Sequence, residues 1–182
     1  MKEFKHTVLE MAETFAVSFV IIMILYGLIA SIEIISGASM EPGFLDKERI
    51  LVDRVSPIID DYRRGDVVVF TPPSDHRAHY IKRVVGMPGE SIKVFDCKVY
   101  VSKDGSKYEI VENYLGKGVC TYGGLALRDG RSYVIPEGQY AVFGDNREAS
   151  VDSRYFGFIE RKSIIGRVVF LLWPIGKIGF VN

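Results

Sequence analysis

One apolar run near the N-terminus constrains this 182-residue chain more than any other feature. Residues 15–32 (FAVSFVIIMILYGLIASI) include no charged side chain. Eighteen such residues form a helix about 27 Å long, enough to cross the hydrocarbon core of a bilayer. The alternative is a cleaved signal peptide, but the run is long for one, and acidic Glu10 and Glu13 precede it. We therefore predict a transmembrane anchor helix at 14–34 after a cytoplasmic head at 1–13.

The charges near this run predict its orientation in the membrane, and the net charge of the chain bears on nucleic-acid binding. Lys2 and Lys5 favour a cytoplasmic N-terminus, which places residues 35–182 on the outer side of the membrane. That segment is long enough to bury its own core. The chain has 23 basic and 23 acidic residues, so its zero net charge gives no reason to expect a nucleic-acid partner.

Beyond the anchor, the sequence predicts an all-β domain. Short β-branched and aromatic runs recur between Gly, Pro and Asp turns, and no long segment has a helical period. Strands are predicted at 49–55, 66–71, 79–85, 91–95, 98–102, 107–112, 133–135, 139–144 and 164–173. A turn or two of helix is predicted near 148–154 or 160–163, and residues 103–106 (KDGS) predict a hairpin turn.

Composition divides the predicted domain into a core and an inserted lobe. Glycines and polar residues cluster at 113–132, so we predict an inserted lobe at about 91–134 and a catalytic core from 36–90 and 135–182. Cys97 and Cys120 lie in no CxxC pair, which argues against a structural zinc site. A disulfide between them and two buried thiols remain equally open.

A second apolar run, residues 168–173, is too short to span a membrane. A buried strand is the simpler interpretation. The alternative is an apolar surface resting in the lipid interface beside the anchor, a setting that suits the amphipathic ring of Trp173.

A candidate nucleophile lies in residues 36–42 (SGASMEP), shortly after the anchor. The small residues Gly37 and Ala38 let a substrate backbone approach Ser39 and leave backbone N–H groups free to form an oxyanion hole. A serine in a glycine-rich turn is usually only part of the turn. A catalytic Ser39 also requires an adjacent base.

Two kinds of base are available to Ser39. His76 and His79 lie with Asp75 in a polar loop, where a Ser-His-Asp triad would be poorly oriented. Their HxxH spacing also permits a metal site, but no third ligand is evident. Lys82 is the better candidate, because in a strand it shares one face with Tyr80 and Val84 and can be desolvated there. The alternative for Lys82 is a solvated strand face.

The polar segment at 144–154 (GDNREASVDSR) is either an ordinary loop or a scaffold for the base. In the second interpretation, Asp145 or Asp152 pairs with an arginine and Ser150 hydrogen-bonds to the base.

In order and spacing, these stretches resemble the bacterial type I signal peptidase (leader peptidase) family of membrane-bound Ser-Lys endopeptidases. The matching stretches are 36–42 (SGASMEP), 65–70 (GDVVVF), 82–90 (KRVVGMPGE), 144–154 and the closing WP…IGF at 173–180. The resemblance covers residues 14–182. Each motif is weak alone, but together in register they are highly specific.

The resemblance implies a role for each motif residue. Ser39 is the nucleophile, Lys82 the general base, and Ser150 supports the lysine. Gly37 offers no hydroxyl, so the oxyanion hole rests on backbone N–H groups, chiefly that of Ser39. Structural roles are implied for Met40, Pro42, Asp145, Asn146, Arg147, Asp152, Ser153 and Arg154. The chain departs from the family pattern at Gly43, usually Thr, which could loosen the turn behind Ser39, and in its single anchor.

The resemblance also implies fold, substrate and place. The fold is an antiparallel sheet forming a partly open barrel, and the substrates are preprotein signal peptides with small residues before the cut. No cofactor or metal is implied. We expect a single-pass monomer in the inner or plasma membrane of a bacterium, with its catalytic domain outside, contacting lipid and lying near the translocation machinery. Ser39 is seven residues beyond Ile32, so it lies within about 25 Å of the anchor.

Three alternatives remain open from the sequence. One is a specialised Ser-Lys peptidase that processes a single conjugation or pilus protein. Another is a self-cleaving Ser-Lys repressor, which would have a DNA-binding head in place of the anchor. The third is a non-catalytic, membrane-anchored β module.

Overall fold

The computed structural model describes the backbone of residues 2–181, and all their side chains except those of residues 2–5, 7, 24–26 and 28. Helix α1 (Lys2–Ile29) is followed directly by strand β1 (Ala30–Ile34). The helix thus ends before residue 34, the predicted end of the anchor. The reason is pairing, because β1 forms an antiparallel ladder with the strand at Arg49–Asp53. Among the described residues, no helix is both long enough and apolar enough to cross a membrane.

The rest of the described chain is mostly β, as predicted. The other strands are β2 (Arg49–Asp53), β3 (Val67–Phe70), β4 (Tyr80–Gly86), β5 (Ser91–Phe95), β6 (Lys98–Lys103), β7 (Ser106–Glu109), β8 (Ser132–Val134), β9 (Gln139–Phe143), β10 (Ile159–Glu160), β11 (Ile164–Trp173) and β12 (Gly179–Phe180). Short helices are α2 (Ser56–Ile59) and α3 (Ser153–Phe156), and 3-10 turns occupy Arg161–Ser163 and Ile175–Lys177.

The main sheet runs in the order β1-β2-β11-β3-β4-β9-β10, with β12 added to β11. Three strands separate β1 from β4 in this sheet, yet Glu33 Oε1 and His79 Nδ1 are only 3.5 Å apart. The sheet therefore curls until its first strand faces the start of β4. Register shifts in the pairing of β11 with β2 and β3, and of β4 with β9, provide the local bends that curling needs.

A second sheet, in the order β7-β6-β5-β8, occupies the range predicted for the inserted lobe. Its inward side chains, such as Ile92 and Val101, pack against Val85 and Phe143 of the main sheet. The predicted hairpin at 103–106 is confirmed, since Lys103 pairs with Ser106. Asp104 and Gly105 both have positive φ there, as a tight hairpin turn requires.

Two further core clusters lie on opposite faces of β3, because successive strand residues point to opposite sides. Val67 and Val69 belong to the cluster that also encloses Met40, and Val68 and Phe70 belong to the other. Both faces of this strand are therefore buried and shielded from solvent.

Cys97 and Cys120 form a disulfide, which decides between the two alternatives left open by the sequence. It joins the turn between β5 and β6 to the long connection that precedes β8. Beside it, the N–H of Thr121 donates to the carbonyl of Cys97 at 3.0 Å. The disulfide thus ties that connection to the second sheet.

We predict that the double variant Cys97→Ser/Cys120→Ser loses stability. The bridge closes a separation of 23 residues, and releasing a loop of this size lowers the free energy of unfolding by about 3 kcal/mol. Chemical denaturation with and without reductant measures this change. Reductant should destabilise the wild type and leave the double variant unaffected, and equal stability of the oxidised wild type and the variant would contradict the prediction.

Candidate active site

Ser39 lies in a turn that follows β1 and is pinned into the core by its neighbours. Met40 is fully buried, and Phe44, whose N–H donates to the Met40 carbonyl at 2.9 Å, is nearly so. The peptide bond between Glu41 and Pro42 is cis. The apolar residue directly after the serine thus fixes the turn while Ser39 itself stays half-buried.

Lys82 reaches Ser39 from β4. Its Nζ lies 2.8 Å from Ser39 Oγ and donates to the carbonyl of Ile81 at 2.9 Å. The lysine is buried, and its Nζ lies 5.4 Å from the centre of the Tyr80 ring, on the strand face predicted for both residues. The alternative of a solvated lysine is wrong.

Burial changes the protonation of this lysine. Desolvation lowers the pKa of Lys82 from 10.5 to about 8, and it outweighs the carboxylates of Asp152 and Asp145, which raise it. A neutral amine is then accessible near physiological pH. In that form, the 2.8 Å contact lets Nζ accept the proton of the Ser39 hydroxyl.

The histidine alternatives do not form a site. His79 is half-exposed and faces Glu33, while Asp75 accepts hydrogen bonds within its own loop, from the N–H of Arg77 at 2.9 Å. Within the described residues, no hydrogen bond joins either His76 or His79 to Ser39, and no group of three His, Cys, Asp or Glu side chains could hold a metal.

Ser150 is buried beside the Ser-Lys pair, but its predicted hydrogen bond to Lys82 is not formed. Among the described residues, its hydroxyl has no hydrogen-bond partner. The lysine directs its N–H groups to Ser39 Oγ and the Ile81 carbonyl instead. Gly144 explains the close packing here, because a Cβ at that position would lie 2.2 Å from Ser150 Oγ and 2.5 Å from the Ser39 carbonyl oxygen.

One buried ion pair joins β4, the strand that includes Lys82, to the segment 144–154. Arg83 donates to both carboxylate oxygens of Asp145, at 2.9 and 2.7 Å. Gly43 lies directly against this pair, since a Cβ there would be 3.1 Å from Asp145 Oδ2. The turn behind Ser39 therefore packs closely at the position where the family pattern is broken. Sequence reasoning did not single out Arg83, although a second charge beside Lys82 in an apolar strand signals a buried partner.

A second buried pair braces the same segment from within. Arg154 donates to both oxygens of Asp152 at 2.8 Å, and Asp152 Oδ2 also accepts from the N–H of Gly144 at 2.9 Å. Ser153 Oγ accepts from the N–H of Val142 at 2.9 Å and fixes the segment to β9. The expected pairing of Asp145 or Asp152 with an arginine therefore occurs at both positions.

Asn146 connects this scaffold to the nucleophile's turn. Its N–H donates to the carbonyl of Ser39, and its side-chain Nδ2 donates to the carbonyl of Ala38, both at 3.1 Å. Within residues 2–181, the N–H of Ser39 itself donates to no protein atom. That N–H is therefore free to donate to a bound ligand.

A cleft of about 440 Å³ opens onto the Ser-Lys pair. Residues 33–39 form one wall and residues 79–82 the other, and Ala149 and Val151 also line it. Both walls are extended or irregular backbone, so the space between them suits an extended peptide.

Residues 8–173 match the family described as "Signal peptidase, peptidase S26". The chain is 36% identical to signal peptidase IB of Staphylococcus aureus strain COL, over 95% of this chain and 93% of that protein. It is 31% identical to the probable signal peptidase I-2 of Synechocystis sp., over 98% of this chain and 79% of that protein.

A crystal structure of a signal peptidase I from Enterococcus faecalis V583 is 29% identical, with a TM-score of 0.48, and covers 59% of this chain and 97% of that one. The family match spans most of the chain, and the two relatives align over nearly all of it. The resemblance predicted from the motifs is thereby confirmed, and the chain belongs to the signal peptidase family, peptidase S26.

Proposed function

We propose that the chain is a type I signal peptidase, a serine endopeptidase that cleaves N-terminal signal peptides from exported preproteins. Family membership supports the activity. The assignment of residue roles is carried by one observation, the 2.8 Å contact between Lys82 Nζ and Ser39 Oγ in a buried setting. A non-catalytic β module has no need to bury a lysine amine against a serine hydroxyl.

The proposed reaction begins with proton transfer from Ser39 Oγ to neutral Lys82. The serine oxygen then attacks the scissile carbonyl carbon, and the resulting oxyanion accepts a hydrogen bond from the Ser39 N–H. Lys82 returns the proton to the departing amine, which leaves an acyl-enzyme. The lysine next takes a proton from a water molecule, whose oxygen attacks the acyl carbon. Lys82 then gives this proton to Ser39 Oγ as the ester bond breaks, which restores both residues and releases the signal peptide.

For Ser150 we propose the supporting role that the family resemblance implies. Its buried hydroxyl has no hydrogen-bond partner in the described part of the chain, so it is available to Lys82 when the lysine moves away from Ser39 in the acyl-enzyme. A buried hydroxyl gains a partner by that movement, so the hydrogen bond is favourable once it can form.

The substrate is proposed to bind as an extended strand between residues 33–39 and 79–82. Main-chain hydrogen bonds along both walls supply affinity for any sequence, while side-chain pockets supply selectivity. The preference for small residues before the cut is taken from the family resemblance.

We further propose that the protein is anchored by its N-terminal helix in the plasma or inner membrane of a bacterium, with the β domain outside. The exposed side chains of Trp173, Ile175, Ile178 and Phe180 support contact between this domain and lipid. Trp173 pairs with Arg49, which also pairs with Ile34 of β1, so only β2 separates Trp173 from the strand that continues directly from the helix.

Ser39→Ala and Lys82→Met should each reduce cleavage of a preprotein in liposomes to background, a loss of roughly a thousandfold or more. Each removes one partner of the proton transfer while keeping the core filled. The matched control is His76→Ala, which removes an exposed imidazole outside the cleft and should retain activity. His79→Ala tests the alternative base. If Lys82→Met cleaved at near wild-type rates and His79→Ala did not, the proposed base would be wrong.

The pH dependence follows from the lowered pKa of Lys82. We expect kcat/KM to rise about tenfold per pH unit below pH 8 and to level off above it, because only the neutral amine accepts the serine proton. A preprotein assay from pH 6 to 9.5 measures this rise in kcat/KM and its midpoint. A midpoint near 6.5 would instead indicate a histidine base.

Burial of Lys82 should make the folded wild type less stable than a variant with an apolar side chain at this position. Because its pKa is about 8 in the folded state and 10.5 otherwise, the unfolded chain binds more protons between these values, and stability rises with pH across that window. Below pH 8 the penalty is fully present, so Lys82→Met should be more stable than wild type at pH 7, by ~3 kcal/mol. Thermal unfolding should show the difference shrinking towards pH 10.

Membrane anchoring is tested with vesicles. The full chain should float with liposomes and resist a carbonate wash at high pH. A matched variant, Ile21→Glu/Ile22→Glu, introduces two charges into the apolar run and should be released. Release of the wild type by carbonate would contradict the proposed anchor.

A further inference from the structure

The connection that follows β7 supplies two side chains to the catalytic core. Residues 110–121 run from the second sheet to the disulfide at Cys120. Two residues of this connection, Glu112 and Tyr114, each contact an arginine of the active-site scaffold. Neither residue lines the cleft that opens onto Ser39.

Glu112 forms a buried ion pair with Arg147. Its Oε2 accepts from Arg147 Nη1 at 3.0 Å, and its Oε1 accepts from Arg147 Nη2. The side chains are 8% and 1% exposed, so neither charge is screened by solvent. Thr121 Oγ1 also accepts from Arg147 Nη1, close to the disulfide that holds the far end of the connection.

Tyr114 contacts the other arginine. Its ring centre lies 4.1 Å from the guanidinium carbon of Arg83, the residue that pairs with Asp145. Its hydroxyl donates to Glu112 Oε1 at 2.5 Å. Burial and the neighbouring Glu112 carboxylate raise the pKa of Tyr114, so the hydroxyl keeps its proton and remains a donor.

Both arginines act on the residues that hold the nucleophile's turn. Arg147 Nε donates to the carbonyl of Gly144 at 3.1 Å, and Arg83 holds the carboxylate of Asp145. The next residue, Asn146, bonds to the carbonyls of Ser39 and Ala38. Contacts therefore run without a break from Glu112 and Tyr114, through the arginines and residues 144–147, to Ser39.

We propose that Glu112 and Tyr114 are positioning residues that hold Arg147 and Arg83, and through them the 144–147 turn, so that Ser39 stays within reach of Lys82. The inference rests on the proposed Ser-Lys mechanism. We attribute these contacts to positioning and not to stabilisation of the fold. A buried ion pair contributes little net stability compared with apolar side chains of similar size. Reactions that require a close approach lose rate steeply when a group shifts by an ångström.

The test compares variants of the full chain in the liposome assay with a preprotein substrate. Glu112→Ala and Tyr114→Leu remove the two contacts and should lower kcat roughly ten- to hundredfold, with KM changed less than about twofold, because the cleft walls are untouched. Glu112→Gln keeps an acceptor for Arg147 and should recover part of the loss. Tyr114→Phe keeps the ring on Arg83 and should exceed Tyr114→Leu in kcat.

Glu109→Gln is the matched control, because Glu109 is the last residue of β7, directly before the connection, but pairs with the exposed Lys98 at 3.1 Å. It should retain wild-type kcat and KM. Rates are normalised to the folded fraction, measured by thermal unfolding. If Glu112→Ala does not fold, the comparison of Tyr114→Leu with Tyr114→Phe decides.

The two proposals fail in different ways. An active wild type with an inactive Ser39→Ala supports the Ser-Lys mechanism. Wild-type kcat in Glu112→Ala and Tyr114→Leu would then overturn the positioning role alone, as would a loss that appears only in KM. A wild type without activity on any preprotein would overturn the proposed function, and the positioning inference with it.

Discussion

Removing one lysine amine from water is the constraint on which the rest of this structure depends. Lys82 can act as a base near neutral pH only while burial keeps its pKa far below 10.5. Burial in turn requires a strand with both faces covered. β4 meets this requirement, because residues 82–86 alternate between its two faces and are all buried. The catalytic sheet and its packed clusters are therefore part of the chemistry, because a sheet with one wet face would leave the amine charged.

Because water is excluded from the site, an unpaired charge there would be costly, and the neighbouring carboxylates are paired with arginines. Asp145 pairs with Arg83, and Asp152 pairs with Arg154. Both carboxylates still raise the pKa of Lys82. These two ion pairs act mainly by positioning, since each holds a different part of the segment that includes Ser150 and contacts Ser39. Gly144 shows how tight the arrangement is, because no larger residue fits there.

Structural features that depend on only a few neighbouring residues were predicted well from the sequence. The alternation of strands, the hairpin at 103–106 and the face shared by Tyr80 and Lys82 follow from local geometry. Strand β1 was missed because an apolar run that continues a helix has no period of its own, and only pairing with β2 ends the helix at Ile29. The Lys82–Ser150 hydrogen bond was expected and is absent, because Nζ donates instead to the carbonyl of Ile81 and to Ser39 Oγ, which is 43 positions away in the chain.

By itself the sequence determined the family, the candidate nucleophile and base, and the β-rich character of the domain, because each rests on residue types at fixed local spacing. Only the tertiary structure decided that Lys82 meets Ser39 at 2.8 Å, that Cys97 bonds to Cys120, and that Glu112 holds Arg147. These contacts join residues 43, 23 and 35 positions apart. Such pairings depend on how the sheet curls and where the connections cross it, and no local pattern in the sequence encodes those distances.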